Sequence, residues 1–173
     1  MFHRSLLIAT LVAMAFAIVS GNVGAQQRLH EREMEFLQQP PLVGEKLPTV
    51  TLYQADGTEF QTDSLRGSYT VLTFGCLTCP PSIWNIPGLE AVERDYAPKG
   101  VRFFFVFKSL AHPEIAGDFI QPYTLEERLV QARTARERFG TQIPWLVDGI
   151  DNRFKHAMGD RPNSQFLIDP DGT

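Results

Sequence analysis

The sequence predicts an α/β fold, a central sheet with helices on its faces. Three observations predict it. Short apolar, β-branched or aromatic runs recur at Tyr69–Phe74, Val101–Phe107, Ile143–Val147 and Ser164–Ile168. Helical patterns separate them, and strands that alternate with helices imply parallel pairing with right-handed crossovers. The chain of 173 residues has room for one compact domain and a targeting segment, and 43% hydrophobic with 21% charged residues is a soluble globular balance.

In chain order, Met1–Ala25 has one positive charge at Arg4, an almost wholly apolar Ser5–Val19, and the small residues Val23-Gly24-Ala25. This is the layout of a secretory signal peptide (1–25). The alternative is an uncleaved anchor, since residues 5–25 carry no charge over a length that spans a bilayer. Either way the domain is expected to be exported, periplasmic or extracellular, where a disulfide persists. A membrane contact is expected only if the segment stays attached. Residues 26–41 form a polar linker, read as a short helix or a plain spacer and ended by Pro40-Pro41.

The folded domain is expected over 42–173. Thr49–Tyr53, Ala55-Asp56-Gly57-Thr58 and Glu59–Thr62 read as a hairpin with an Asp-Gly turn. Ser64–Gly67 leads into the first buried strand. A helix then runs toward Tyr96–Gly100. Thr124 is the expected N-cap of a helix over Leu125–Phe139, with Glu127 at the capping-box position and Gly140 at the stop. Its inner face reads Leu125, Leu129, Ala132 and Phe139, with Arg136 the polar exception. Asp151–Met158 is a short helix stopped by Gly159, and Asp169-Pro170-Asp171-Gly172 is a strong turn.

The chemistry concentrates at Cys76 and Cys79, the two cysteines of the chain. Cys79 follows a buried strand, and Pro80-Pro81 marks a first helical turn, where a missing N–H costs nothing. The free N–H groups and positive dipole end of that helix favour an anion, so the Cys79 thiol is expected below the free value of about 8.5. A buried, inert cysteine is the plain alternative. Cys76 lies three residues earlier, within reach of a disulfide across a turn. It is read as a resolving thiol, or else as half of a structural disulfide; so short a loop gains little from a crosslink. Two cysteines make half of a tetrahedral zinc set, and no His pair at ligand spacing completes it. No metal and no cofactor are expected. The net charge of −4, with no basic cluster, argues against nucleic acid and leaves small molecules, thiols or other proteins as partners.

Phe74–Leu89 resembles the active-site segment of thioredoxin-fold reductases of the bacterial envelope, with Pro87 at the helix-kinking proline and Ser82 where their second cysteine stands. The segment resembles the iodothyronine deiodinase-like family more closely. Their Phe-Gly-Ser-Cys-Thr-selenocysteine-Pro-Pro matches Phe74-Gly75-Cys76-Leu77-Thr78-Cys79-Pro80-Pro81, with Cys79 at the selenocysteine position. Gln121–Arg128 and Ile143–Asn152 resemble bacterial members of that group. The resemblance implies a thioredoxin-like fold and a thiol oxidoreductase using Cys79 as nucleophile on a disulfide, peroxide or halogenated substrate. Cys76 or an external thiol reductant would resolve the intermediate.

Further roles are implied in the same way. Thr78, Pro80 and Pro162 are expected on the substrate side, Pro162 as a cis proline facing the cysteine. His112, read from its place after the Val101–Phe107 strand at the edge where ligands gather in open α/β sheets, is expected as acid or base, with a plain surface histidine as the alternative. Deiodinases carry Glu-x-His there, and Leu110-Ala111-His112 lacks the acid. Thioredoxins keep a buried acid six residues before the active cysteine, a place taken here by Thr73. Copper-carrying relatives place a second cysteine where Ile83 stands. Thioredoxin folds continue beyond the Asp169–Gly172 turn with an edge strand and a last helix, so a C-terminally incomplete domain is expected. The competing function is a non-enzymatic binding module in which Cys76 and Cys79 staple the loop.

Overall fold

The structure is a computed structural model that describes residues 24, 26–113, 118–161 and 163–173. The signal-peptide reading and the cis expectation at Pro162 fall outside the described residues, apart from Gly24. The chain divides into two units, 1–39 and 40–173. Within the first, residues 26–37 form a helix (α1), built mostly from Gln, Arg, Glu, Leu and Met, which are good helix formers. The helix reading of the linker therefore holds over the spacer reading. Among the described residues no helix is long and apolar enough to cross a membrane.

The second unit is built on a six-stranded sheet. Strands β1 (Thr51–Gln54) and β2 (Glu59–Gln61) pair antiparallel with Thr51 opposite Gln61. Gly57 supplies the left-handed residue of their turn at φ 89°, and the Asp56 carboxylate accepts the Thr58 N–H at 2.9 Å. The remaining strands are β3 (Thr70–Gly75), β4 (Arg102–Phe107), β5 (Trp145–Val147) and β6 (Ser164–Ile168). They lie in the order β2-β1-β5-β4-β3-β6. The centre, β3-β4-β5, is parallel, while β1 on β5 and β6 on β3 run antiparallel, giving a mixed sheet.

Helices α2 (Pro80–Tyr96), α3 (Leu125–Phe139) and α4 (Arg153–Ala157) follow β3, β4 and β5. The period-two alternation of β4 divides the core between its faces. Phe103, Phe105 and Phe107 join Leu89, Leu129, Ala132, Ala135 and Trp145 on one side. Val106 joins Leu52, Leu72, Phe74, Leu146 and Phe154 on the other. Phe105 stacks on Trp145 with centroids 4.4 Å apart, and Phe74 meets Phe154 at 5.2 Å.

Helix α3 has the expected bounds and both halves of its capping box, with Thr124 Oγ1 accepting the Glu127 N–H at 3.2 Å. Its inner face differs from the expected one. Arg128, not Arg136, is the buried arginine, 2% exposed. Its guanidinium donates to the carbonyls of Asp148 at 3.3 Å and Gly149 at 2.5 Å and to Asn152 Oδ1 at 2.9 Å. Those acceptors belong to the β5–α4 loop, which only the tertiary fold brings beneath the helix.

One consequence of register positions the site. Gly75 pairs with Phe107, and Phe107 with Val147. The three parallel strands thus end level, and the next residues, Cys76, Lys108 and Asp148, stand in a row at one sheet edge. The Lys108 N–H continues the ladder to the Gly75 carbonyl at 3.2 Å, and the Asp148 N–H to that of Phe107 at 2.8 Å. All three residues are buried.

Candidate active site

The site begins where β3 meets the first turn of α2. A Cβ on Gly75 would lie 2.7 Å from Ser82 Oγ and 2.8 Å from Ser82 Cβ, and would overlap the Phe105 ring as well. Glycine alone permits that approach. The chain then passes through Cys76-Leu77-Thr78, and Cys79 takes the N-cap of α2 in an extended conformation (φ −100°, ψ 104°). Pro80 and Pro81 fill the first two helical positions and have no N–H to give. The first free amide is therefore that of Ser82, the position from which a helix addresses its N-cap side chain.

Cys76 and Cys79 are free thiols, both buried. The Cys76 thiol donates toward Cys79 and is the largest influence holding the Cys79 thiol down, to about 5. The Ser82 hydroxyl and amide and the positive charge of Lys108 act in the same direction, while burial opposes them. Cys76 is pushed well above the ordinary thiol range by the same contact and by burial. One sulfur is thus the anion and the other keeps its proton. The Ser82 hydroxyl, although buried, has no well-aligned partner, so it is free to turn toward the sulfur.

The loop after β4 closes over the pair. The Ala111 N–H donates to Cys76 Sγ at 3.1 Å, and the Thr78 hydroxyl donates to the Ala111 carbonyl at 2.6 Å. Thr78 also touches Cys76, Oγ1 to Sγ 3.6 Å. Gln121 braces this loop, its amide bonded in both directions to the Leu110 backbone.

Of the residues singled out from the sequence, Cys76, Thr78 and Cys79 come together here. Pro80 is exposed at the start of α2. His112 is exposed beside Ala111, with a left-handed backbone (φ 54°) that is uncommon for non-glycine residues. What the loop brings directly onto the cysteines is the Ala111 peptide. Pro162 lies outside the described residues, but its neighbour Arg161 turns its carbonyl into the site.

That carbonyl accepts from Lys108 Nζ, a group the sequence reading passed over. Lys108 is 2% exposed, and its ammonium lies over the Phe74 ring, 5.8 Å from the centroid. Burial and the charge of Lys155 lower it to about 8, while both cysteines and Asp160 act against that fall. The available signal was a lysine directly after the apolar Val101–Phe107 run, at the strand end where ligands collect in such sheets. Among the described residues, no cluster of three or more His, Cys, Asp or Glu side chains is placed to hold a metal.

A family model described as Redoxin matches residues 42–173. No curated protein matches the chain. Among solved structures it is similar to a secreted Mycobacterium tuberculosis disulfide oxidoreductase homologous to E. coli DsbE, at 17% identity and a TM-score of 0.55, over 72% of this chain and 79% of that one. The thioredoxin domain of a Bacteroides vulgatus thiol-disulfide oxidoreductase matches at 16% identity and TM-score 0.57, over 75% and 83%. A thiol-disulfide oxidoreductase from Bacteroides fragilis matches at 15% and 0.56, over 75% and 86%. At such identities the likeness is one of fold, and the fold is the thioredoxin-like α/β fold.

Proposed function

The chain belongs to the Redoxin family, and on that premise we propose that it is a thiol oxidoreductase with Cys79 as the attacking thiolate. The observation that carries this is the division of labour in the pair: an anion at the helix N-cap, held by a thiol that keeps its own proton. Thiolate attack on a disulfide gives a mixed disulfide on Cys79 and releases one thiol. Cys76 then attacks Cys79 Sγ, forming the internal disulfide and releasing the second thiol. An external thiol reductant returns both to the reduced state. Attack on a peroxide would run through a sulfenic acid to the same internal disulfide.

Within this class we favour disulfide exchange or peroxide reduction over removal of a carbon-bound halogen, although Phe74–Pro81 reads as deiodinase-like. Leu110, where deiodinases carry a glutamate, is an apolar residue 5% exposed. That position therefore offers no carboxylate. Thr78, Pro80 and Pro162 are proposed to face the substrate, and residues 1–25 to export the domain.

Turnover of a model disulfide, hydrogen peroxide and an iodinated phenol by the full chain tests this. Cys79→Ser should lose activity by at least about 100-fold. Cys76→Ser should stall as a mixed disulfide visible by mass. Undiminished turnover by Cys79→Ser would sink the proposal.

A further inference from the structure

We propose that Lys108 is the proton carrier of the cysteine pair, giving a proton to the first departing thiolate and then taking one from Cys76. This rests on the reading of Cys79 as nucleophile and adds the group that makes the second half of the reaction possible. Cys76 must lose a firmly held proton before it can attack, and a base has to receive it. Thr73, six residues before Cys79, is a buried hydroxyl without a hydrogen-bond partner and cannot be that base. Asp148 stands in the same row, but its carboxylate oxygens already accept the N–H groups of Phe154 at 3.1 Å and Lys155 at 2.8 Å.

The backbone of Lys108 is beside that of Cys76 by strand register, since Phe107 pairs with Gly75. The Lys108 side chain is shielded from water, and the acceptor of its ammonium is a neutral carbonyl, that of Arg161. The charged groups around it are Cys76 and Cys79 from the β3–α2 loop, Lys155 from α4 and Asp160 after it. Asp160 is already engaged by Lys155 Nζ at 2.8 Å and His156 Nδ1 at 2.8 Å. An amine so placed gives and takes a proton near neutral pH, as its lowering to about 8 reflects.

The steps balance. At rest the site holds Cys79 thiolate, Cys76 thiol and Lys108 ammonium. The thiolate attacks a disulfide; the Cys79–sulfur bond forms, the substrate S–S bond breaks, and the leaving thiolate takes the Lys108 proton. With Cys79 now neutral, the lysine has lost a counter-anion, which favours the free amine. The amine takes the Cys76 proton, and the Cys76 thiolate attacks Cys79 Sγ. The Cys76–Cys79 bond forms, the mixed disulfide breaks, and the second thiolate leaves with the proton from Lys108. The two cysteines lose two electrons, and the substrate disulfide gains them as two thiols.

Stopped-flow reaction with dithiobis-nitrobenzoate separates the halves, because each releases one nitrothiobenzoate. Nitrothiobenzoate is a weak base that leaves without taking a proton, so with this probe the first release does not draw on Lys108 as an acid. Lys108→Arg, which keeps a charge but cannot act as a base, should form the mixed disulfide within about threefold of the unmodified rate. Its second release should slow about 100-fold at pH 7 and recover as pH rises toward 10. Lys108→Met should show the same slow second release. Should either variant fold poorly, the Lys108 side-chain resonance can be titrated by NMR in the Cys76→Ser protein. Its midpoint should fall by about one pH unit once Cys79 is capped with a methylthio group. Second releases at the unmodified rate, a slowing equal at every pH, or a midpoint indifferent to capping would each overturn the proposal. If Cys79→Ser releases as much nitrothiobenzoate as the unmodified chain, the fault lies instead with Cys79 as nucleophile.

Discussion

Gly75 sets the distance between β3 and α2, and with it the distance from the strand end to Cys79. Adding one methyl there forces the Phe105 ring and Ser82 apart. Gly75→Ala should cost about 2–3 kcal/mol by overpacking, read as a lower denaturation midpoint at unchanged slope. It should also raise the alkylation midpoint of Cys79 as the first turn of α2 moves away. An alanine variant as stable as the original would contradict the packing described here. Single residues differ in how plainly the sequence announces them. Cys79 was legible because Pro80 and Pro81 mark a helix start by local chemistry. Lys108 was not, because a lysine after a strand is usually solvated, and only the sheet shows that Phe74 and Arg161 cover it.

At the scale of elements, local signals fared best. The α3 bounds follow from a cap and a stop within the segment itself, Thr124 with Glu127 at one end and Gly140 in the left-handed conformation (φ 65°) at the other. Thr124→Ala should cost about 1 kcal/mol and lower the melting temperature by about 2–4 °C. An unchanged melting temperature would mean that tertiary packing alone holds the helix. The β1–β2 hairpin was legible for the same reason, its Asp-Gly turn fixing the register. The inner face of α3 was not: helical spacing offered Arg136, and the structure buries Arg128 instead. A row of carbonyls on the β5–α4 loop decides between them, and no periodicity within the helix contains that information.

For the whole molecule, the decisive fact is that β3, β4 and β5 stop at the same level. Alternation of strands and helices made parallel pairing legible, and so the edge on which chemistry should collect. The register that sets Cys76, Lys108 and Asp148 in one row depends on pairing between distant segments, and the sequence alone does not fix it. At that edge the contact between Cys76 and Cys79, with Ser82 and Lys108 as lesser aids, turns two ordinary thiols into an unequal pair. A thiol whose acidity is raised by the fold is ionised above its lowered midpoint and protonated below it. Reactivity should therefore climb through that midpoint and stay level at higher pH.

The rate of Cys79 alkylation by iodoacetamide as a function of pH, followed by mass in the unmodified chain and in Cys76→Ala, tests this most directly. The unmodified chain should reach half its maximal rate near pH 5 and be flat above, and loss of the Cys76 donor should move the midpoint upward. A midpoint near the free-thiol value of about 8.5, the same in both proteins, would contradict the account.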